Sequence, residues 1–257
     1  MEKVLEKSYR ILAALSESKE PKGITELSRQ LSLVKSNVHR LVTSLVELGL
    51  VQQAPQNEKY FLTLKLWQLG RTALNQLDVR KTAFPYMHEL VNRFGEDVYL
   101  SVIIDTYVVY VDHVPCDHVV RASLGGGHEA YCSSTGKAIL AWSPDALLQR
   151  IMSGATAFTE TTITDIETMR EELNKSRERG FALNFGEWSR SVHGVAAPVF
   201  DYSGLPVAAL GISGPANRLP LARLEDLGKH LDALGRKISS ELGYLPVVQP
   251  EGMRHTG

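Results

Sequence analysis

The segment that most restricts this chain spans residues 24–64, ITELSRQLSLVKSNVHRLVTSLVELGLVQQAPQNEKYFLTL. Thr25 is read as the N-cap of a short helix that buries Leu27 and Leu31. A tight turn follows around Ser32–Leu33. The next helix puts Val38, Leu41, Val42, Leu45 and Leu48 on one face. Ser36, His39, Arg40 and Thr43 fall opposite, with Lys35 and Asn37 at the flanks of that exposed face. Gly49 ends it. LVQQA and YFLTL then read as two short strands joined by a turn over residues 55–59. Upstream, Val4, Ser8, Ile11, Leu12 and Leu15 repeat at helical spacing over residues 3–17, and Pro21, Lys22 and Gly23 break that helix. Three helices closed by a two-strand ribbon make a winged helix-turn-helix, whose last helix offers a polar, basic face to the DNA major groove.

Charge is divided along the chain. Residues 1–65 carry 10 Lys/Arg against 7 Asp/Glu, a net of +3, whereas the rest carries 18 against 22, a net of −4. A basic head on an acidic body fits DNA at one end and a different partner at the other. No apolar run approaches the roughly 20 residues that span a bilayer. The start, MEKVLEKSYR, lacks the apolar core of a signal peptide. Cys116 and Cys132 are too few for a disulfide framework, so a cytoplasmic compartment is expected, with no membrane partner.

Leu66, Leu69, Ala73 and Leu77 continue a helical pattern to about Val79, read as a linker helix over residues 66–80 between a head (1–65) and a larger domain (81–245), with a tail over 246–257. In the larger domain, residues 82–94 read as a helix, VYLSVII and YVVYVDHV as strands, and RASL as a short strand before Gly125–Gly127. Helices are expected over 134–142, 145–152, 166–179 (capped by Asp165, stopped by Gly180) and 221–242. Strands are expected over 181–185, 193–200 and 206–213. Helices interspersed with hairpin-linked strands give an α+β domain around an antiparallel sheet.

Several segments are similar to the IclR family of bacterial transcriptional regulators. They are Lys35-Ser36-Asn37-Val38-His39-Arg40-Leu41 with Leu45-Val46-Glu47-Leu48-Gly49; Ser134-Thr135-Gly136-Lys137-Ala138-Ile139-Leu140-Ala141; Arg179-Gly180-Phe181-Ala182; Val195-Ala196-Ala197-Pro198-Val199-Phe200; and Ile212-Ser213-Gly214-Pro215. The resemblance covers about residues 3–243. It implies a DNA-binding head, a C-terminal effector domain of GAF-like fold, and a homodimer or a dimer of dimers.

The expected contacts to double-stranded operator DNA are Lys35, Ser36, Asn37, His39, Arg40 and, in the wing, Lys59, with Arg10 as a further phosphate contact. Ser133-Ser134-Thr135-Gly136-Lys137 is not a phosphate loop, because Tyr131 stands where its first glycine belongs and Ala138 follows the lysine. It reads instead as a helix start, whose serines either cap the helix or receive a carboxylate. The resemblance implies that this turn, through Ser134 and Thr135, lines an effector site. Tyr131 and Trp188 would add flat apolar surface, Asn184 and Ser213 polar wall, and Val120, Leu124 and His128 a lid; Phe185 is read as core. Several relatives carry an acidic residue where Asn184 stands and a cysteine where Gly194 stands. An uncharged Asn184 does not repel an anion, and the flat apolar surface nearby favours an aromatic or otherwise unsaturated acid as the small organic effector. His113, Cys116, His118 and His128 match no zinc spacing, and neither metal nor cofactor is expected. G-x-S-x-G, H-E-x-x-H and dinucleotide motifs are absent, so an enzyme built on Cys132 and a histidine is the weaker reading. A DNA-binding scaffold without a small ligand is the alternative.

Overall fold

In the computed structural model, which describes residues 3–18, 20–75, 78–118 and 127–245, the N-terminal unit (Met1–Gln76) is built on α1 (Lys3–Ser16), α2 (Ile24–Leu31) and α3 (Lys35–Glu47). Ile11, Leu27, Val38 and Val42 meet in its core with no solvent exposure. The helix after Pro21 starts two residues earlier than its sequence suggests. Gly23, not Thr25, is the N-cap, because its N–H donates to the Glu26 carboxylate at 3.0 Å. Ser32 turns the chain in the left-handed region (φ 54°), held by the Ser28 hydroxyl donating to the Leu33 carbonyl at 2.6 Å. At the far end of α3, Gly49 (φ 71°) donates to Val46 O and Leu50 to Leu45 O, a Schellman closure that needs glycine's freedom at positive φ. β1 (Val51–Gln53) and β2 (Tyr60–Leu62) pair antiparallel as the wing.

α4 (Leu64–Asn75) opens two residues before the expected linker helix, because the Thr63 hydroxyl accepts the Lys65 N–H at 3.3 Å and caps it. α5 (Asp78–Phe94) belongs to the second unit, Leu77–Gly257, and takes in residues 78–80, read from sequence as the end of the linker.

The second unit continues with β3 (Asp97–Ile104), β4 (Tyr107–Val114), β5 (His128–Glu129), a 3-10 turn (Ala130–Cys132) and α6 (Ser134–Leu140). Then come α7 (Asp145–Met152), α8 (Ile166–Arg179), β6 (Ala182–Phe185), β7 (Val192–Phe200), β8 (Pro206–Pro215) and α9 (Leu221–Glu241). The six strands form one antiparallel sheet in the order β5-β4-β3-β8-β7-β6. The N-terminal winged helix-turn-helix and this antiparallel-sheet domain give the chain its α+β class. RASL, Val120, Leu124 and the tail beyond 245 lie outside the described residues.

The sheet is covered on both faces. Along β7, Ala196 packs under Ala138 and Ile139 of α6, whereas Ala197 meets α9, where a Cβ on Gly235 would lie 3.4 Å from it. α6 approaches so closely that a Cβ on Gly211 of β8 would come within 2.6 Å of the Thr135 methyl. No helix among the described residues is long and apolar enough to cross a membrane.

Candidate functional site

On the head, burial of Val38, Leu41, Val42 and Leu45 turns the polar face of α3 outward. Lys35, Ser36, His39 and Arg40 are exposed and Asn37 is half-buried. Lys35, Ser36 and His39 share a shallow hollow with Gln53, Asn57 and Lys59 of the wing; Arg40 and Asn37 stand outside it. Lys59 Nζ sits 3.4 Å from the Glu26 carboxylate, and the Gly23 N–H together with Lys59 holds that carboxyl below the usual range. Arg10 donates to the Leu31 carbonyl at 2.9 Å, which ties α1 to the end of α2. Hydroxyls, amides and cations on two neighbouring elements are the groups that meet phosphates and base edges.

In the second unit, a cavity with an empty volume of ≈ 430 Å³, mouth included, lies where α6 faces β3, β7 and β8. His128, Ser134, Thr135, Asn184, Trp188, Gly194 and Ser213 all line it. Tyr131 does not. Its side chain is buried in the core, with its hydroxyl donating to Thr156 O at 2.8 Å and accepting Thr156 N–H at 3.0 Å. Sequence reasoning missed Tyr99, Tyr110 and Gly211, which also form the wall. An isolated glycine inside a strand, such as Gly211, was the available signal of close approach.

The cavity has two poles. At one, Ser133 caps α6 by accepting the Gly136 N–H at 3.0 Å. Among the described residues, the Ser134 and Thr135 hydroxyls have no hydrogen-bond partner. The missing side chain of Gly194 leaves this pole open, since a Cβ there would lie 2.9 Å from Ser134 Oγ and 3.5 Å from Ser213 Oγ. At the other pole, His128 lies against Trp188 (ring centroids 4.0 Å apart) with Tyr110 edge-on at 6.0 Å. His128 is only 5% exposed, and its Nε2 has no partner. Burial pushes its pKa down, so the imidazole is neutral near pH 7.

Several wall groups are held from behind. Asn184 donates to Cys132 O at 2.5 Å and accepts the Glu187 N–H at 3.3 Å. The Tyr99 hydroxyl donates to Asp97 at 3.2 Å, and Asp97 also accepts the Cys116 N–H at 2.7 Å. Burial raises the Asp97 carboxyl, but the Cys116 N–H and thiol, His113 and Tyr99 outweigh it and hold it below the usual range. The hydroxyls of Thr159, Thr161 and Thr162 grip the carbonyls of Gly186, Phe185 and Glu187 at 2.7, 2.9 and 2.6 Å.

Lys137 is 1% exposed and lies 2.5 Å from Glu187, so it is committed to an internal ion pair and not to a phosphate. Burial pushes the Cys132 thiol up to about 12, which removes the thiolate a nucleophile requires. Among the described residues no three His, Cys, Asp or Glu side chains are arranged to hold a metal. His113 instead stacks on Tyr99 and approaches Asp97 to 3.5 Å.

Comparison with known proteins agrees with this architecture. The model of the bacterial transcriptional regulator IclR C-terminal domain matches residues 71–240, and that of the IclR helix-turn-helix domain matches residues 4–55. The HTH-type transcriptional regulator KdgR of Escherichia coli is 35% identical over 93% of this chain and 92% of its own length. The crystal structure of the IclR protein of Thermotoga maritima superposes with a TM-score of 0.71 at 27% identity, covering 93% of this chain and 98% of that one. An IclR homologue from Microbacterium hydrocarbonoxydans, crystallised with 4-hydroxybenzoate, shares the fold with a TM-score of 0.76 at 23% identity, over 93% and 98% of the two chains. A winged head with an outward polar helix, joined in one chain to a two-faced antiparallel sheet, thus matches its relatives over nearly its full length: the chain belongs to the IclR family and is a DNA-binding transcriptional regulator, not an enzyme.

Proposed function

We propose that the second unit binds a small aromatic or otherwise unsaturated carboxylate, and that its occupancy changes the affinity of the head for operator DNA controlling a catabolic operon. The two-pole cavity carries this reading. Free hydroxyls of Ser134 and Thr135, at a helix start whose first N–H groups have no intrahelical acceptor, suit a carboxylate. The rings of Tyr99, Tyr110, His128 and Trp188 suit a flat apolar body. The relative crystallised with 4-hydroxybenzoate supports the same chemistry. The head contacts DNA through Lys35, Ser36, Asn37, His39, Arg40 and Lys59. A single head makes few phosphate contacts, so the acting form is a homodimer or a dimer of dimers on a near-palindromic site, in the cytoplasm.

The test is fluorescence anisotropy of the full chain on labelled DNA from the intergenic region beside its gene, with and without benzoate-type acids. An acid that stabilises the protein should shift the operator Kd by about 5- to 150-fold. Operator binding that ignores every acid which stabilises the protein would replace this reading with a scaffold lacking an effector. Retention of full affinity after Lys35→Ala and Arg40→Ala together would remove the DNA-reading role of α3.

A further inference from the structure

We infer that the effector is a hydroxylated acid and that His128 selects it, through a hydrogen bond between Nε2 and a hydroxyl remote from the carboxylate. The inference rests on the cavity being the effector site and narrows the class of acid that site takes.

The starting observation is an unmet requirement. His128 Nε2 is buried in the cavity wall without a partner. A buried polar atom left in that state costs free energy, which a ligand group can recover. Trp188 lies against the ring at 4.0 Å, Tyr110 stands edge-on at 6.0 Å, and the residue is only 5% exposed, so water has little access to it. Neighbouring wall groups are already engaged. The Tyr99 hydroxyl donates to Asp97, both ends of the Asn184 amide are used, and the Ser213 hydroxyl donates to His193 O at 3.2 Å.

Charge decides which end of the ligand meets His128. Among the described residues no Lys or Arg side chain lines the cavity, and burial keeps the imidazole neutral. A neutral imidazole is a weaker home for a carboxylate than the open hydroxyls of Ser134 and Thr135. It is well suited to a hydroxyl, which can either donate to Nε2 or accept from it as the tautomer requires. A ligand with its carboxylate at the Ser134 pole and a hydroxyl at the His128 pole satisfies both ends. Two kinds of molecule carry that pattern: a phenolic ring acid and a polyhydroxylated aliphatic acid.

The test is calorimetric titration of the full chain with two matched pairs, 4-hydroxybenzoate against benzoate and gluconate against hexanoate. In whichever pair binds, the hydroxylated acid should be at least ten-fold tighter. His128→Phe, which keeps a ring against Trp188 and removes Nε2, should cut that preference below three-fold; the readout is the ratio of the two affinities, because a change in the cavity wall shifts both members of the pair. His128→Gln, which keeps a hydrogen-bonding group, should retain more of the preference than His128→Phe. Ser134→Ala should weaken both members of the pair alike. In the wild-type chain, the His128 Nε2 resonance should move with the hydroxylated acid and stay in place with its partner, a readout that depends on no variant. A preference below three-fold in the wild-type chain, or one that survives His128→Phe, overturns the role of His128 and leaves the effector site standing. A His128-dependent preference for gluconate supports the inference and overturns the aromatic reading. Failure of all four acids to bind removes the inference and the carboxylate site together.

Discussion

The buried pair Lys137–Glu187 allows the mechanics behind the cavity to be tested without any ligand. Lys137→Met keeps the length of the side chain and removes its charge, leaving the Glu187 carboxylate buried without a counter-ion. One of its oxygens, Oε2, already lacks a hydrogen-bond partner. Removing one partner of a buried ion pair costs about 3–5 kcal/mol. For a domain of this size a loss of 1 kcal/mol lowers the melting temperature by roughly 2–4 °C, so the transition of the second unit should fall by roughly 6–20 °C. Replacing both residues, Lys137→Met with Glu187→Leu, leaves no orphan charge and should recover most of that loss. Acid should also rescue the single variant. Burial already pushes the Glu187 pKa above its ordinary 4.5, and losing Lys137 raises it further. The unfolded chain then ionises first as pH rises past 4.5, so the penalty grows from there to the folded pKa and levels off above it. Calorimetry of the full chain at pH 5 and pH 8 measures both effects. A Lys137→Met chain as stable as wild type at pH 8, or a double variant no better than the single, would show that the pair is not held in a dry interior.

Other consequences are as direct. Loss of a phosphate contact by Lys35→Ala or Arg40→Ala should flatten the dependence of log affinity on log salt by about 0.9 per contact, read from anisotropy titrations at several salt concentrations. Gly194→Ala sets a methyl 2.9 Å from Ser134 Oγ and 3.3 Å from Ile212 O; it should lower acid affinity at least ten-fold in calorimetric titration and cost about 1–3 kcal/mol of stability through overpacking. Because burial lowers the His128 pKa below its ordinary 6.5, the unfolded chain takes up that proton first as pH falls. The wild-type chain should therefore lose stability relative to His128→Phe from about pH 6.5 downward until the folded pKa is passed. Urea midpoints at pH 8, 6 and 5 check the sign.

The head was legible in sequence because its signals are local. The spacing of Val38, Leu41, Val42 and Leu45 sets the buried face of α3, and Gly49 sets its end. The small misses there came from competition between adjacent residues. Glu26 gives the N-cap to Gly23 over Thr25, and Thr63 draws the chain out of β2 and into α4 two residues early. Expectations for the cavity rested on the family likeness and on residue types, and they named Ser134, Thr135, Trp188 and Ser213, which line the same cavity. The unanticipated contributions depend on long-range register. Tyr99 reaches the cavity because β3 pairs it with Gly211, more than a hundred residues later. His128 is buried because Trp188, sixty residues on, lies against it. Tyr131 leaves for the core because the main chain of Thr156 supplies both a donor and an acceptor for its hydroxyl.

The threonine clasp at residues 159–162 bears on how such a pocket evolves. It seizes main-chain oxygens of residues 185–187 and recognises no side chain among them. A backbone secured in this way keeps its course whatever replaces the neighbouring Trp188, so the lining can be exchanged without dismantling the frame that presents it. Divergence toward a new signal molecule then requires one or two replacements on a fixed rail, while a change at Thr159 or Thr162 loosens the rail itself.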